Sequence, residues 1–232
     1  MTRSALIVAH GQPSDPDPAE ADMARLAKSV ASYLPDWQVS AATLAAPDAL
    51  KIALDTLDNP IIFPFFMADG WFIRTLLPKR LSEAGHEELS VLTPFGLLTK
   101  TQVLSLQAAR RATAERGWAE ADTTLILAAH GSGRSNYPAE AARAIEHTFA
   151  AESVFARVRT GFIEEEPSLA HAARGAGDKA LCLPLFVARW GHVIGDIPEA
   201  LETAGFTGHL LDPIGTHPDV PALIAKTILD AS

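Results

Sequence analysis

Two histidines, a short run of glutamates and a serine stand just past apolar segments in the second half of the chain. His130 follows the apolar run 124–129 and leads into Gly131, Ser132 and Arg134. Glu164, Glu165 and Glu166 precede Pro167, and His192 follows Gly191 a few residues after Leu183-Pro184-Leu185-Phe186. Imidazole with carboxylate suits borderline divalent ions such as Fe²⁺, Co²⁺, Ni²⁺ and Zn²⁺. Three such ligands, His130, His192 and Glu164, leave coordination positions open for a substrate. The spacing is no local motif of the HExxH kind. Taken alone, each residue also has a plain reading. A strand-end histidine is often a hydrogen-bonded surface or core group, and acids are favoured in the first turn of a helix. Pro167 makes that second reading apt for Glu165 and Glu166, so Glu164 is the preferred acid.

Other residues carry less. His86, His147, His171, His209 and His217 have no matching cluster. Ser132 beside His130 raises a hydrolase as a rival, but no G-x-S-x-G elbow is present. Gly131-Ser132-Gly133 is not a phosphate loop. A serine and an arginine at a helix N-terminus can still hold a carboxylate, which keeps Ser132 and Arg134 as ligand contacts. Phe65, Phe66, Trp71 and Phe72 read as core or pocket wall. Arg74, Lys79, Arg80 and Arg189 read as surface cations able to receive an anion.

The elements that must position these groups are written twice. SALIVAHG at 4–11 matches TLILAAHG at 124–131, so His10 falls on His130 in a 120-residue register. Pro18-Ala19-Glu20-Ala21 falls on Pro138-Ala139-Glu140-Ala141, and Pro47 falls on Pro167. Pro64, Phe66 and Ala68 fall on Pro184, Phe186 and Ala188, and Ala84-Gly85 on Ala204-Gly205. One residue is then lost, and Pro94-Phe95-Gly96 meets Pro213-Ile214-Gly215. We therefore expect an internal duplication with repeats over 1–119 and 120–232. Within this register His192 lies opposite Phe72 and Glu164 opposite Leu44, so the first repeat keeps one histidine of the set.

Each repeat predicts four strands alternating with helices. In the first these are strands near 5–9, 38–44, 61–66 and 89–93, and helices near 18–33, from Pro47, and 70–83 with Gly85 as C-cap. The amphipathic stretch 99–116 is expected to close the first repeat. Such alternation implies parallel sheets covered on both faces, with ligands outside the carboxyl ends of the strands.

Composition narrows the function. The net charge is −9 without a Lys/Arg run, which argues against nucleic acid and anionic membranes. A hydrophobic content of 48% is ordinary for a globular protein with a sizeable core. The single cysteine, Cys182, excludes an internal disulfide framework. The first apolar segment is too short for a signal core or a membrane span, and a cytoplasmic location is expected.

Ala129-His130-Gly131-Ser132, Phe162-Ile163-Glu164 with Glu166-Pro167-Ser168-Leu169, and Gly191-His192-Val193 with Asp196-Ile197-Pro198 together resemble the sirohydrochlorin chelatase family, the small class II chelatases of sirohaem and cobalamin synthesis. The resemblance spans nearly the whole second repeat and continues more weakly through the first. It implies two flavodoxin-like halves facing across a cleft, and insertion of a divalent metal into sirohydrochlorin, an anionic tetrapyrrole. It carries His130, His192 and Glu164 over as metal-binding and catalytic residues, and His10 as the first-half counterpart. Substrate contacts are then expected from His10, Ser132, Arg134, Arg189, Trp190, Phe65 and Phe72. The metal is a substrate, and no permanently bound cofactor is expected. The chain ends without a histidine-rich tail or cysteine cluster, which favours Fe²⁺ over Co²⁺. A chain carrying both halves is expected to act as a monomer. A non-enzymatic tetrapyrrole or metal carrier using the same groups is the alternative.

Overall fold

The computed structural model describes residues 3–133, 135–152 and 154–232. They form two compact units, one of residues up to Leu98 with Pro218–Ser232, the other Thr99–His217.

In chain order the elements are β1 (Arg3–Ala9), α1 (Pro16–Ala31), β2 (Trp37–Thr43), α2 (Ala49–Asp55), β3 (Ile61–Pro64), α3 (Leu77–Glu83) and α4 (Thr99–Glu115). Then come β4 (Thr124–Ala129), α5 (Tyr137–Glu152), β5 (Arg157–Phe162), α6 (Leu169–Ala173) and β6 (Ala180–Pro184). Last are α7 (Gly191–Ile194), α8 (Asp196–Thr203), β7 (His209–Leu210) and α9 (Val220–Asp230).

The first unit is built on a parallel sheet of order β2-β1-β3, with Ala5 facing Val39 on one side and Ile61 on the other. The central strand is buried from Ser4 to Ala9. A strand covered on both faces needs a continuous apolar run, not an alternating one, and Ala5–Ala9 supplies it. Helix α1 turns Ala19, Met23, Ala27 and Val30 inward, a stripe at helical spacing. Helix α3 continues a π-helical turn, Phe72–Leu76. It ends as the sequence predicts: Gly85, at φ +80°, donates its N–H to Ser82 O and His86 donates to Leu81 O, a Schellman closure.

The fourth strand expected in this repeat does not form. Segment 89–93 touches the sheet through a single bridge, Val91 to Ile62, with Ile62 N–H donating to Ser90 O and Leu92 N–H to Ile62 O. Pro94 then ends the pairing, because it has no N–H to offer. The second unit has the full four strands, order β5-β4-β6-β7, all parallel.

The compact units also differ from the sequence repeats. Helix α4, expected to close the first repeat, packs against β6 and the 214–216 turn in the second unit. Helix α9 packs against α1 and β3 in the first. The expected boundary near 117–122 therefore lies inside the second unit. Both helices are amphipathic, with Leu104, Ala109 and Ala112 buried on α4 and Val220, Ile224 and Ile228 on α9. An apolar stripe says that a helix must be covered; it does not say by which sheet.

Among the described residues no helix is long and apolar enough to cross a membrane.

Candidate metal-binding site

β4 ends at Ala129, and the chain turns sharply at Gly131, whose φ of +71° suits glycine. A Cβ there would stand 2.7 Å from Glu165 Cγ, so the turn also needs the missing side chain. This turn presents His130 beyond the strand end, exposed, with its Nδ1 2.8 Å from Gly131 O. His192 comes from α7, the short helix after β6. Its Nε2 lies 3.1 Å from His130 Nε2, with the rings nearly perpendicular and centroids 4.5 Å apart. On the far side of its ring, Nδ1 lies 2.7 Å from Oδ2 of Asp196, the first residue of α8.

These contacts are best satisfied by one protonation pattern. Gly131 O and the Asp196 carboxylate are acceptors, so each Nδ1 is assigned the hydrogen. In the neutral imidazoles both Nε2 atoms are then bare lone pairs, and they face each other at 3.1 Å. Such a pair is relieved when a cation, a proton or a metal ion, sits between them. With metal–nitrogen bonds of about 2.0–2.1 Å, this separation corresponds to an N–metal–N angle of roughly 100°.

The glutamates divide. Glu165, only 19% exposed at its side chain, accepts from Ser132 N–H at 2.8 Å and from Arg143 at 3.4 Å. It ties the loop after β5 to the loop after β4. Glu166 accepts from Ser168 N–H at 2.8 Å, just ahead of α6. Glu164 donates its backbone N–H to His130 O at 2.9 Å, and its side chain is exposed. The structure thus brings His130 and His192 together but does not gather Glu164 with them. Among the described residues, no three His, Cys, Asp or Glu side chains converge as a ready-made metal cage.

Sequence reasoning left Asp196 without a role. The signal was present as an acid four residues after a histidine, close enough to meet it across Gly195 between α7 and α8. Of the expected substrate contacts, Ser132 is half-buried beside Glu165, and Trp190 is half-buried at the start of α7. Arg189 is exposed and paired with Asp212. Arg134 lies outside the described residues. Phe65 requires a correction. It is 2% exposed and packs on Phe95 with centroids 5.0 Å apart, so its ring belongs to the core and offers no face to a ligand.

The first unit repeats the frame without the pair. His10 Nδ1 lies 2.8 Å from Gly11 O, and Gly11 has φ +78°. Where His192 stands in the second unit, His10 meets the ring of Phe72, centroids 4.2 Å apart and planes at 68°. Phe72 in turn lies against Phe66 and Trp71.

A family model described as CbiX matches residues 124–231. A solved structure described as that of CbiX, the terminal enzyme for biosynthesis of siroheme in denitrifying bacteria, is 46% identical. The match covers 99% of this chain and 100% of that one, with a TM-score of 0.92. The chain belongs to the CbiX family. Two more distant structures share the fold with this CbiX-family chain. DR2241 from Deinococcus radiodurans, a multi-domain protein with structural similarity to chelatases, is 20% identical with a TM-score of 0.73; the match covers 99% of this chain and 55% of that one. SirB from Bacillus subtilis, solved with Fe³⁺, is 13% identical with a TM-score of 0.76, over 99% and 95% of the two chains. No curated protein matches the sequence.

Proposed function

We infer that this chain is a sirohydrochlorin chelatase, a lyase-class enzyme that inserts a divalent metal into sirohydrochlorin. Membership of the CbiX family supports the activity, and the facing Nε2 lone pairs of His130 and His192 are the observation that carries its placement. The reaction exchanges two pyrrole N–H protons of the macrocycle for one M²⁺, releasing 2 H⁺. His130 and His192 bind the incoming ion through Nε2. The Asp196 carboxylate holds His192 in the tautomer that keeps Nε2 free, the usual role of an acid behind a ligating histidine. As the ion leaves for the ring, the same two lone pairs are freed to accept protons. The exposed imidazole of His130 returns them to solvent, and Glu164, exposed in the loop after β5, is the acid we assign to assist. Ser132 and Trp190 are the substrate contacts we keep in this unit, with Arg189 shared between Asp212 and a substrate carboxylate.

We assign Fe²⁺ as the preferred metal, because the 46%-identical relative is described as the terminal enzyme of siroheme biosynthesis. We also read the two units as products of one duplication. The shared strand order around β1 and β4, and the matching His-Gly turns with 2.8 Å Nδ1 contacts, support that origin. A cytoplasmic, monomeric enzyme without a resident cofactor completes the reading; the unpaired, buried Cys182 is compatible with a reducing compartment. An anaerobic visible-absorbance assay with sirohydrochlorin and Fe²⁺ or Co²⁺ tests it. Metallation should run well above the spontaneous rate, faster with Fe²⁺. No acceleration with either ion would leave a carrier as the better reading.

A further inference from the structure

The second unit has a groove of about 530 Å³ whose lining contains neither His130 nor His192. It is formed by α5, by β5 at the edge of the sheet, and by the segment from Pro167 through α6. Arg143, Arg159 and Arg174 line it with His171, against one carboxylate, Glu146. Three guanidiniums against Glu146 and against Glu165, which pairs with Arg143, leave a local balance of +1, in a chain whose net charge is −9.

Two of the guanidiniums are oriented by neutral oxygens. Arg159 donates to Ala172 O and Arg174 O at 3.2 and 3.3 Å. Arg143 donates to Glu166 O and lies over the Phe162 ring at 5.2 Å, although it also reaches Glu165 at 3.4 Å. Carbonyls hold an arginine in place without cancelling its charge.

We propose that this groove is a binding site for a small polyanion carrying carboxylate or phosphate groups. Guanidinium forks match both oxyanions, and the volume is that of a small-metabolite pocket. Arg159 and Arg174 grip the oxyanion from the β5 and α6 sides. The site is independent of the metal pair, so the proposal stands or falls separately from the chelatase reading.

The test is isothermal titration of the full chain, free of metal, with citrate and separately with inorganic phosphate. One saturable site per chain is expected for at least one of them. Tighter citrate binding makes it a polycarboxylate site; tighter phosphate binding makes it a phosphate site. Arg174→Gln should weaken binding by at least about tenfold, the scale of a hydrogen bond to a charged group. Arg174 is exposed, so its variant should fold even if Arg159→Gln, which loses two contacts to the chain beside α6, does not. His192→Ala should bind the anion unchanged. Absence of saturable binding by both anions, or binding that Arg174→Gln does not weaken, overturns the proposal.

Discussion

His10 and His130 occupy the same kind of turn. Each follows a buried central strand, each is followed by a glycine of positive φ, and each places Nδ1 2.8 Å from that glycine's carbonyl. They differ in what meets the other edge of the ring. His130 meets the Nε2 of His192, whose own Nδ1 is held by Asp196; His10 meets the hydrocarbon ring of Phe72. One backbone frame therefore yields a pair of facing imidazole nitrogens in one unit and an aromatic contact in the other. The fold supplies the perch, and a single side chain on the neighbouring strand's exit decides whether it has chemistry.

The sharpest way to break this comparison is to copy the first unit into the second. His192→Phe should lower the metallation rate at least about a hundredfold, the scale of losing a positioned ligand or acid–base group. Fold and thermal stability should be little changed, since the first unit already accommodates phenylalanine there. Rates near those of the unaltered chain would remove the histidine pair from the mechanism.

Asp196→Asn should weaken metal binding by about tenfold to a hundredfold, the range for losing a partner behind a ligating histidine. The KM for sirohydrochlorin should stay near its original value, because Asp196 acts through His192. An altered KM with unaltered metal affinity would move Asp196 to the substrate side.

Among the acids, Glu164→Gln should slow metallation several-fold while leaving thermal stability alone. Glu165→Gln should do the reverse, because Glu165 joins the turn bearing Ser132 to Arg143 on α5. Steady-state rates and melting curves for the two variants decide which glutamate serves the chemistry. The smallest effect belongs to Cys182, fully buried within β6, where burial pushes the thiol up to about 12. The thiol stays protonated at neutral pH, so thiol reagents should label it only after unfolding.

The histidine pair was legible in the sequence because two stretches align in a 120-residue register: a strand-end His-Gly recurs, and His192 stands where the first stretch has Phe72. The parallel sheets were legible for the same reason that Ala5–Ala9 and Thr124–Ala129 are unbroken apolar runs. The exchange of α4 and α9 between units was not, since an amphipathic stripe carries no address. The loss of a strand at 89–93 was hidden because apolar content does not report how many backbone groups actually pair. Phe65 was misplaced because an aromatic after a strand reads alike as core or as pocket wall. Asp196 was overlooked because an acid in the first turn of a helix has an ordinary helical explanation.

The central claim is one chelating ion per chain, held by His130 and His192. Anaerobic calorimetric titration with Co²⁺ tests it most directly, run on the unaltered chain, His192→Phe and His10→Ala. The account predicts a stoichiometry of one, tight binding lost in His192→Phe, and affinity within about twofold of the original in His10→Ala, since a lone imidazole offers one of the several ligands a labile ion needs. Two equivalent sites, or loss of tight binding on replacing His10 alone, would contradict it.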